Sequence, residues 1–232
     1  SLSFTLQLYF DFSGYTDMAL GSALVFNIRL PENFNSPYKA LNIRDFWRRW
    51  HMSLSRFLLD YIYIPLGGNR SGLLRTCINL ITTFFLCGLW HGAGWTFIFW
   101  GLLNGIALIV HHFWLKTEFK MHYFFSGALT FLFVNFAWVF FRADEWKNAV
   151  QILTAMLGFN GVGAFELLPA LYILFFLGIV FGAKNSMQWA RQVNTKTEAI
   201  YIALFLAFFS LLQLNNFQIS NNKTMEFLYF NF

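Results

Sequence analysis

Residues 76–115 read TCINLITTFFLCGLWHGAGWTFIFWGLLNGIALIVHHFWL, a stretch with no aspartate, glutamate, lysine or arginine. About 20 apolar residues carry a helix across a bilayer, so this stretch holds two crossings, broken at His91-Gly92-Ala93-Gly94. Lipid satisfies no backbone N–H or C=O group, and a long uninterrupted apolar run meets that demand as a helix. Met121–Phe141, Leu167–Ala183 and Ala199–Asn222 are also uncharged. The spacing predicts an all-α, polytopic transmembrane helical bundle with about six segments, near 2–28, 76–90, 95–115, 124–141, 167–183 and 199–216.

Composition agrees. The chain is 57% hydrophobic and 22% aromatic with 12% charged residues, against roughly 25% charged in an ordinary soluble domain. It begins at Ser1 and lacks the basic-then-apolar layout of a signal peptide. The expectation is a single membrane-embedded domain over residues 1–232, a fragment without its amino-terminal membrane helices. Cys77 and Cys87 share one apolar segment, which argues against a disulfide framework or a Cys-based zinc site.

Positive charge is concentrated. Residues 39–75 hold seven basic side chains against Asp45 and Asp60, which accounts for the whole net charge of +5. The positive-inside rule places residues 29–75 at the cytoplasmic face. Membrane lipid headgroups explain these cations without any nucleic-acid partner. Ile43, Phe46, Trp47, Trp50, His51, Leu54, Phe57 and Leu58 follow the i, i+3, i+4, i+7 rhythm of one helical face. An amphipathic or re-entrant helical region is therefore expected near residues 39–75, capped by Asn42 with Asp45 three residues on, and stopped by Pro65 and Gly67-Gly68. His51 falls on the apolar face, where a histidine is either a hydrogen-bonded packing residue or part of a site.

His91 is the candidate catalytic group, because an ionisable side chain inside a membrane segment is a functional hypothesis by default. Sixteen residues of helix after Arg75 rise only ~24 Å against ~30 Å of hydrocarbon. His91 then stops short of the far surface, at a glycine turn that needs burial in protein or a wet cavity. A hydrogen-bonded histidine at an ordinary short turn is the competing reading. Asp11 and Asp17, six residues apart in the first segment, cannot share a helical face as a catalytic pair.

Longer motifs surround these residues. Asp45-Phe46-Trp47-Arg48-Arg49-Trp50-His51-Met52-Ser53-Leu54-Ser55, continuing through Asp60-Tyr61-Ile62-Tyr63-Ile64-Pro65-Leu66-Gly67-Gly68-Asn69-Arg70, closely resembles the signature of membrane-bound O-acyltransferases, in their alginate O-acetyltransferase branch. Tyr9–Asp17, Gly88–Ala93 and Phe136–Ala143 resemble family blocks in the expected order, and Phe227–Phe232 is similar to the aromatic tail of bacterial members. The resemblance covers essentially the whole chain but only about the carboxyl-terminal half of a typical member. It implies transfer of an acetyl or other acyl group from a thioester donor, acetyl-CoA or an acyl carrier, to a hydroxyl of an exported polysaccharide or to a periplasmic acetylation protein. It implies a multi-pass place in the bacterial inner (cytoplasmic) membrane, and no bound cofactor.

By that resemblance His91 is the general base and His51 a supporting histidine. Substrate-binding candidates are Arg48, Arg49, Trp50, Asp60, Tyr61, Asn69, Arg70, Trp90 and Asn104. Two departures from the family pattern, Leu59 before Asp60 and Asn104 in place of a histidine, bear on donor or acceptor binding. His111 and His112 lack the convergent partners of a metal site. A transporter or flippase for an acyl or glycolipid is the alternative that also uses polar groups at membrane depth.

Overall fold

A computed structural model describes residues 1–161, 166–193, 195–205 and 208. Among these residues every regular element is helical, as the apolar runs require. The chain divides into two compact units, Ser1–Ala183 and Lys184–Phe232. The first contains α1 (Leu2–Val25), α2 (Ile43–Trp47), α3 (Met52–Leu58), α4 (Leu73–His91), α5 (Trp95–Trp114), α6 (Tyr123–Arg142), α7 (Trp146–Met156) and α8 (Leu167–Gly182). In the second, α9 (Ser186–Ala190) carries a capping box in which Asn185 and Gln188 satisfy each other's backbone N–H.

Helices α4, α5 and α6 are long and apolar enough to cross a membrane. Helix α8 is a shorter apolar helix, and α1 has the length but carries Gln7, Asp11 and Asp17. The segment expected at 199–216 lies largely outside the described residues, and the tail Phe227–Phe232 wholly so.

Helices α4 and α5 form an antiparallel hairpin whose backbones nearly touch. A Cβ on Gly88 would overlap the carbonyl oxygen of Phe97, and one on Gly101 the carbonyl oxygen of Phe84. One on Gly105 would lie 3.3 Å from the Ile81 Cα. Lipid gives no hydrophobic drive between helices, so close backbone packing over small residues supplies the association. At the turn, Gly92 has φ 168°, an extended conformation open to any residue. Space, not backbone freedom, sets its identity: a Cβ there would come within 2.6 Å of the Phe97 ring.

The region expected as one amphipathic helix is two. Arg48 closes α2, and His51 precedes α3 in the left-handed conformation, φ 42° and ψ 57°, which ends any continuous α-helical ladder. The 3.6-residue rhythm assumed an unbroken axis and is only partly kept past the break: Ile43, Phe46, Trp47 and Trp50 are buried, and beyond the break Leu58 is buried while Phe57 is 52% exposed against Tyr61. Leu59–Tyr63 then follows in wider turns, with the Ile64 N–H reaching back five residues to the Leu59 carbonyl. Gly67 and Gly68, at φ 105° and 54°, turn the chain toward α4.

This region does not lie flat at the bundle's edge. Trp50 packs against Tyr9 and Phe34, and against Trp138 at 5.0 Å, so the α2–α3 break penetrates between α1 and α6. The Asn42 cap forms as expected, its Oδ1 accepting the Asp45 N–H at 2.8 Å, and Arg49 pairs with Asp45 at 2.9 Å. Asn42→Ala should cost ~1 kcal/mol, seen as a fall of about 2–4 °C in the melting temperature of purified protein.

Candidate active site

His91 is the last residue of α4, and its half-buried ring is held by aromatic edges. Trp90, Trp100 and Phe141 meet it edge-on at centroid separations of 4.8, 5.2 and 5.0 Å. Among the described residues nothing hydrogen-bonds its ring nitrogens. The ring is oriented by shape. Trp100, 1% exposed, stacks on Trp138 at 5.7 Å.

His51 reaches the same cluster from the other side. Its ring meets Phe12 at 4.9 Å, Phe12 meets Trp50, Trp50 meets Trp138, and Trp138 meets Trp100. One chain of aromatic contacts thus links the two imidazoles. Helix α4 delivers one of them at its carboxyl end, and the α2–α3 break delivers the other.

A cavity of about 460 Å³ opens on the basic side of the bundle, against the middle of α4 and the end of α5. Arg44, Arg48, Arg56, His111 and His112 supply its polar character, beside an apolar wall that includes Leu80 and Phe84. Neither His51 nor His91 lines it. Between them stand Trp47, a lining residue, and Trp100, at 5.9 Å from Trp47 and in contact with His91. From Phe84 to His91 the helix rises about 10 Å. Among the described residues no three His, Cys, Asp or Glu side chains converge.

Residues 1–143 match the model of the membrane-bound O-acyltransferase family. The chain belongs to the membrane-bound O-acyltransferase family. It is 61% identical over 166 residues to a peptidoglycan O-acetyltransferase of Helicobacter pylori, covering 70% of this chain and 32% of that protein. It is 39% identical to the probable alginate O-acetylase AlgI of Pseudomonas putida, over 100% of this chain and 52% of that one. A teichoic acid D-alanyltransferase of Bacillus subtilis is 33% identical over 62% of this chain and 40% of its own length. The chain thus spans about a third to a half of the length of these curated relatives.

The family signature is split by the fold into parts that pack and parts that face open space. Trp50, 4% exposed, is a packing residue. Asn104, 2% exposed, accepts from Trp47 Nε1 at 3.2 Å and donates to the Trp100 carbonyl at 2.9 Å, so it braces the two tryptophans between cavity and His91. Arg49 is engaged by Asp45 and by the Asn35 carbonyl. Arg48 and Asn69 line the cavity, whereas Asp60, Tyr61 and Arg70 are exposed away from it. Trp90, 66% exposed, flanks His91. The cavity's other basic residues, Arg44 and Arg56 with His111 and His112, had no assigned site role in the sequence. The one signal for the two arginines is the crowding of charge in residues 39–75, which does not say which of its cations converge.

Proposed function

We propose that this chain is the acyl-transfer part of a multi-pass inner-membrane O-acyltransferase, moving an acetyl or related acyl group from a thioester donor to a hydroxyl of a cell-envelope polymer or of a relay protein. One observation supports the reading: a basic cavity against the middle of α4 and the end of α5, and a histidine at the carboxyl end of α4, joined through Trp47 and Trp100. Phosphates of a thioester donor suit Arg44, Arg48 and Arg56, and the acyl arm then extends inward past the tryptophans. The relatives' names add the acceptor chemistry, since alginate, peptidoglycan and teichoic acid are all envelope polymers.

A hydroxyl is a poor nucleophile at neutral pH, and a neutral imidazole within hydrogen-bond reach removes that limit. The acceptor oxygen forms its bond to the thioester carbon as its proton passes to His91. The C–S bond then breaks, and the leaving thiolate takes the proton back, which returns His91 to its starting state.

The test follows isotope from labelled acetyl-CoA, or from acetylated carrier protein, to envelope polymer in vesicles carrying the full-length protein. Label on polymer hydroxyls with the native protein, and none with His91→Ala, supports the reading; equal labelling by both overturns it. In the same assay Arg48→Gln with Arg56→Gln should raise the donor KM about tenfold, the equivalent of ~1.4 kcal/mol, with kcat little changed. Both arginines are solvent-exposed, and together they provide binding rather than chemistry.

A further inference from the structure

Asn33 stands in the loop before α2, outside the motifs quoted above, and makes four contacts with the helix break. Its backbone carbonyl accepts the Met52 N–H at 3.0 Å. Its side-chain Oδ1 accepts the Ser53 N–H at 3.1 Å and the Ser53 hydroxyl at 2.6 Å, and lies 3.3 Å from His51 Nδ1. Ser53 Oγ is itself 3.4 Å from the same nitrogen.

These contacts bear on where the His51 proton sits. The Ser53 N–H can only donate, which fixes the Asn33 amide with its oxygen toward the loop. The Ser53 hydroxyl proton is committed to that oxygen, so Oγ meets Nδ1 with lone pairs alone. Both neighbours of Nδ1 are acceptors, and a neutral imidazole carries one N–H, placed by the hydrogen bond its other nitrogen makes. The proton belongs on Nδ1, and the lone pair on Nε2.

We infer that Asn33 is a positioning residue: it holds His51 in the Nδ1–H form so that Nε2 presents a fixed lone pair to the acyl-transfer site. The inference rests on the acyl-transfer reading for its purpose, but the tautomer stands apart from it. The contacts of His51 on α1 and in the Asn33 loop are the uncharged Phe12 and Asn33.

The experiment is nitrogen-15 NMR of histidine-labelled full-length protein in lipid, with the His51 signals assigned by their loss in His51→Gln, alongside acetyl transfer from labelled acetyl-CoA. The expected result is Nδ1–H in the native protein and in Ser53→Ala, a tautomer mixture in Asn33→Ala, and recovery of Nδ1–H in Asn33→Asp, whose carboxylate keeps the acceptor. Transfer should fall roughly 10–100-fold in kcat for Asn33→Ala, taking the scale known for partners that orient metal-ligating imidazoles, with donor KM unchanged and activity restored in Asn33→Asp. Nε2–H in the native protein, or a His51 spectrum indifferent to Asn33→Ala, overturns the inference, and the native spectrum decides this even if Asn33→Ala does not fold. If the spectra behave as stated while Asn33→Ala and His51→Gln transfer at the native rate, the role in transfer is overturned. A native protein inert toward every thioester donor, with the spectra as stated, counts against the acyl-transfer reading and leaves the tautomer assignment standing.

Discussion

Replacing His91 by alanine is expected to slow acyl transfer by roughly 10²–10⁴-fold, the usual worth of a positioned general base. The loss should fall on kcat. Donor KM should stay within about twofold, because the arginines proposed to bind the donor's phosphates line a cavity that His91 does not reach. Folding should survive: His91 is half-buried at a helix end, and no hydrogen bond among the described residues depends on its ring. A His91→Ala protein that expresses and melts like the native one, yet transfers at the native rate, would remove the general base from the mechanism. His91→Gln separates shape from chemistry, since it keeps polar bulk between Trp100 and Phe141 but cannot take a proton. It should therefore be nearly as slow as the alanine variant.

The sequence was most legible where one physical constraint acts alone. Lipid demands unbroken apolar helices, and Thr76–Leu115 shows them without ambiguity, down to the break at His91. The Asn42 cap was equally local, since its partner lies three residues away. The α2–α3 break was not legible. It depends on Asn33, eighteen residues upstream of His51, supplying the acceptors that stabilise a left-handed histidine, and no periodicity within Ile43–Leu58 carries that information. The cavity was hidden for a related reason. Charge counting found an excess in residues 39–75, but His111 and His112 join Arg44, Arg48 and Arg56 only because the α4–α5 hairpin folds the end of α5 back to the start of α4.

That hairpin is where the second large effect is expected. Gly101→Val should lower the melting temperature of the detergent-solubilised protein by about 5–10 °C, on the scale of ~1–3 kcal/mol for overpacking a close contact. The group a new Cβ would strike is the Phe84 carbonyl oxygen, with the Gly88 Cα 3.2 Å away on the same side. Backbone cannot rotate aside as a side chain can, so α4 and α5 must separate. Gly178→Ala on α8 is the control, because a Cβ there meets nothing within 4 Å. Alanine is also the better helix former by about 1 kcal/mol, so that variant should melt at or above the native temperature. Separation of the hairpin also reaches the chemistry. Gly101 follows Trp100, whose ring holds His91 edge-on and stacks on Trp138, so any Gly101→Val protein that remains folded should lose kcat as well. A variant that melts with the native protein would mean that the two backbones do not meet at Gly88 and Gly101, and the placement of His91 at the end of a tight hairpin would fall with it.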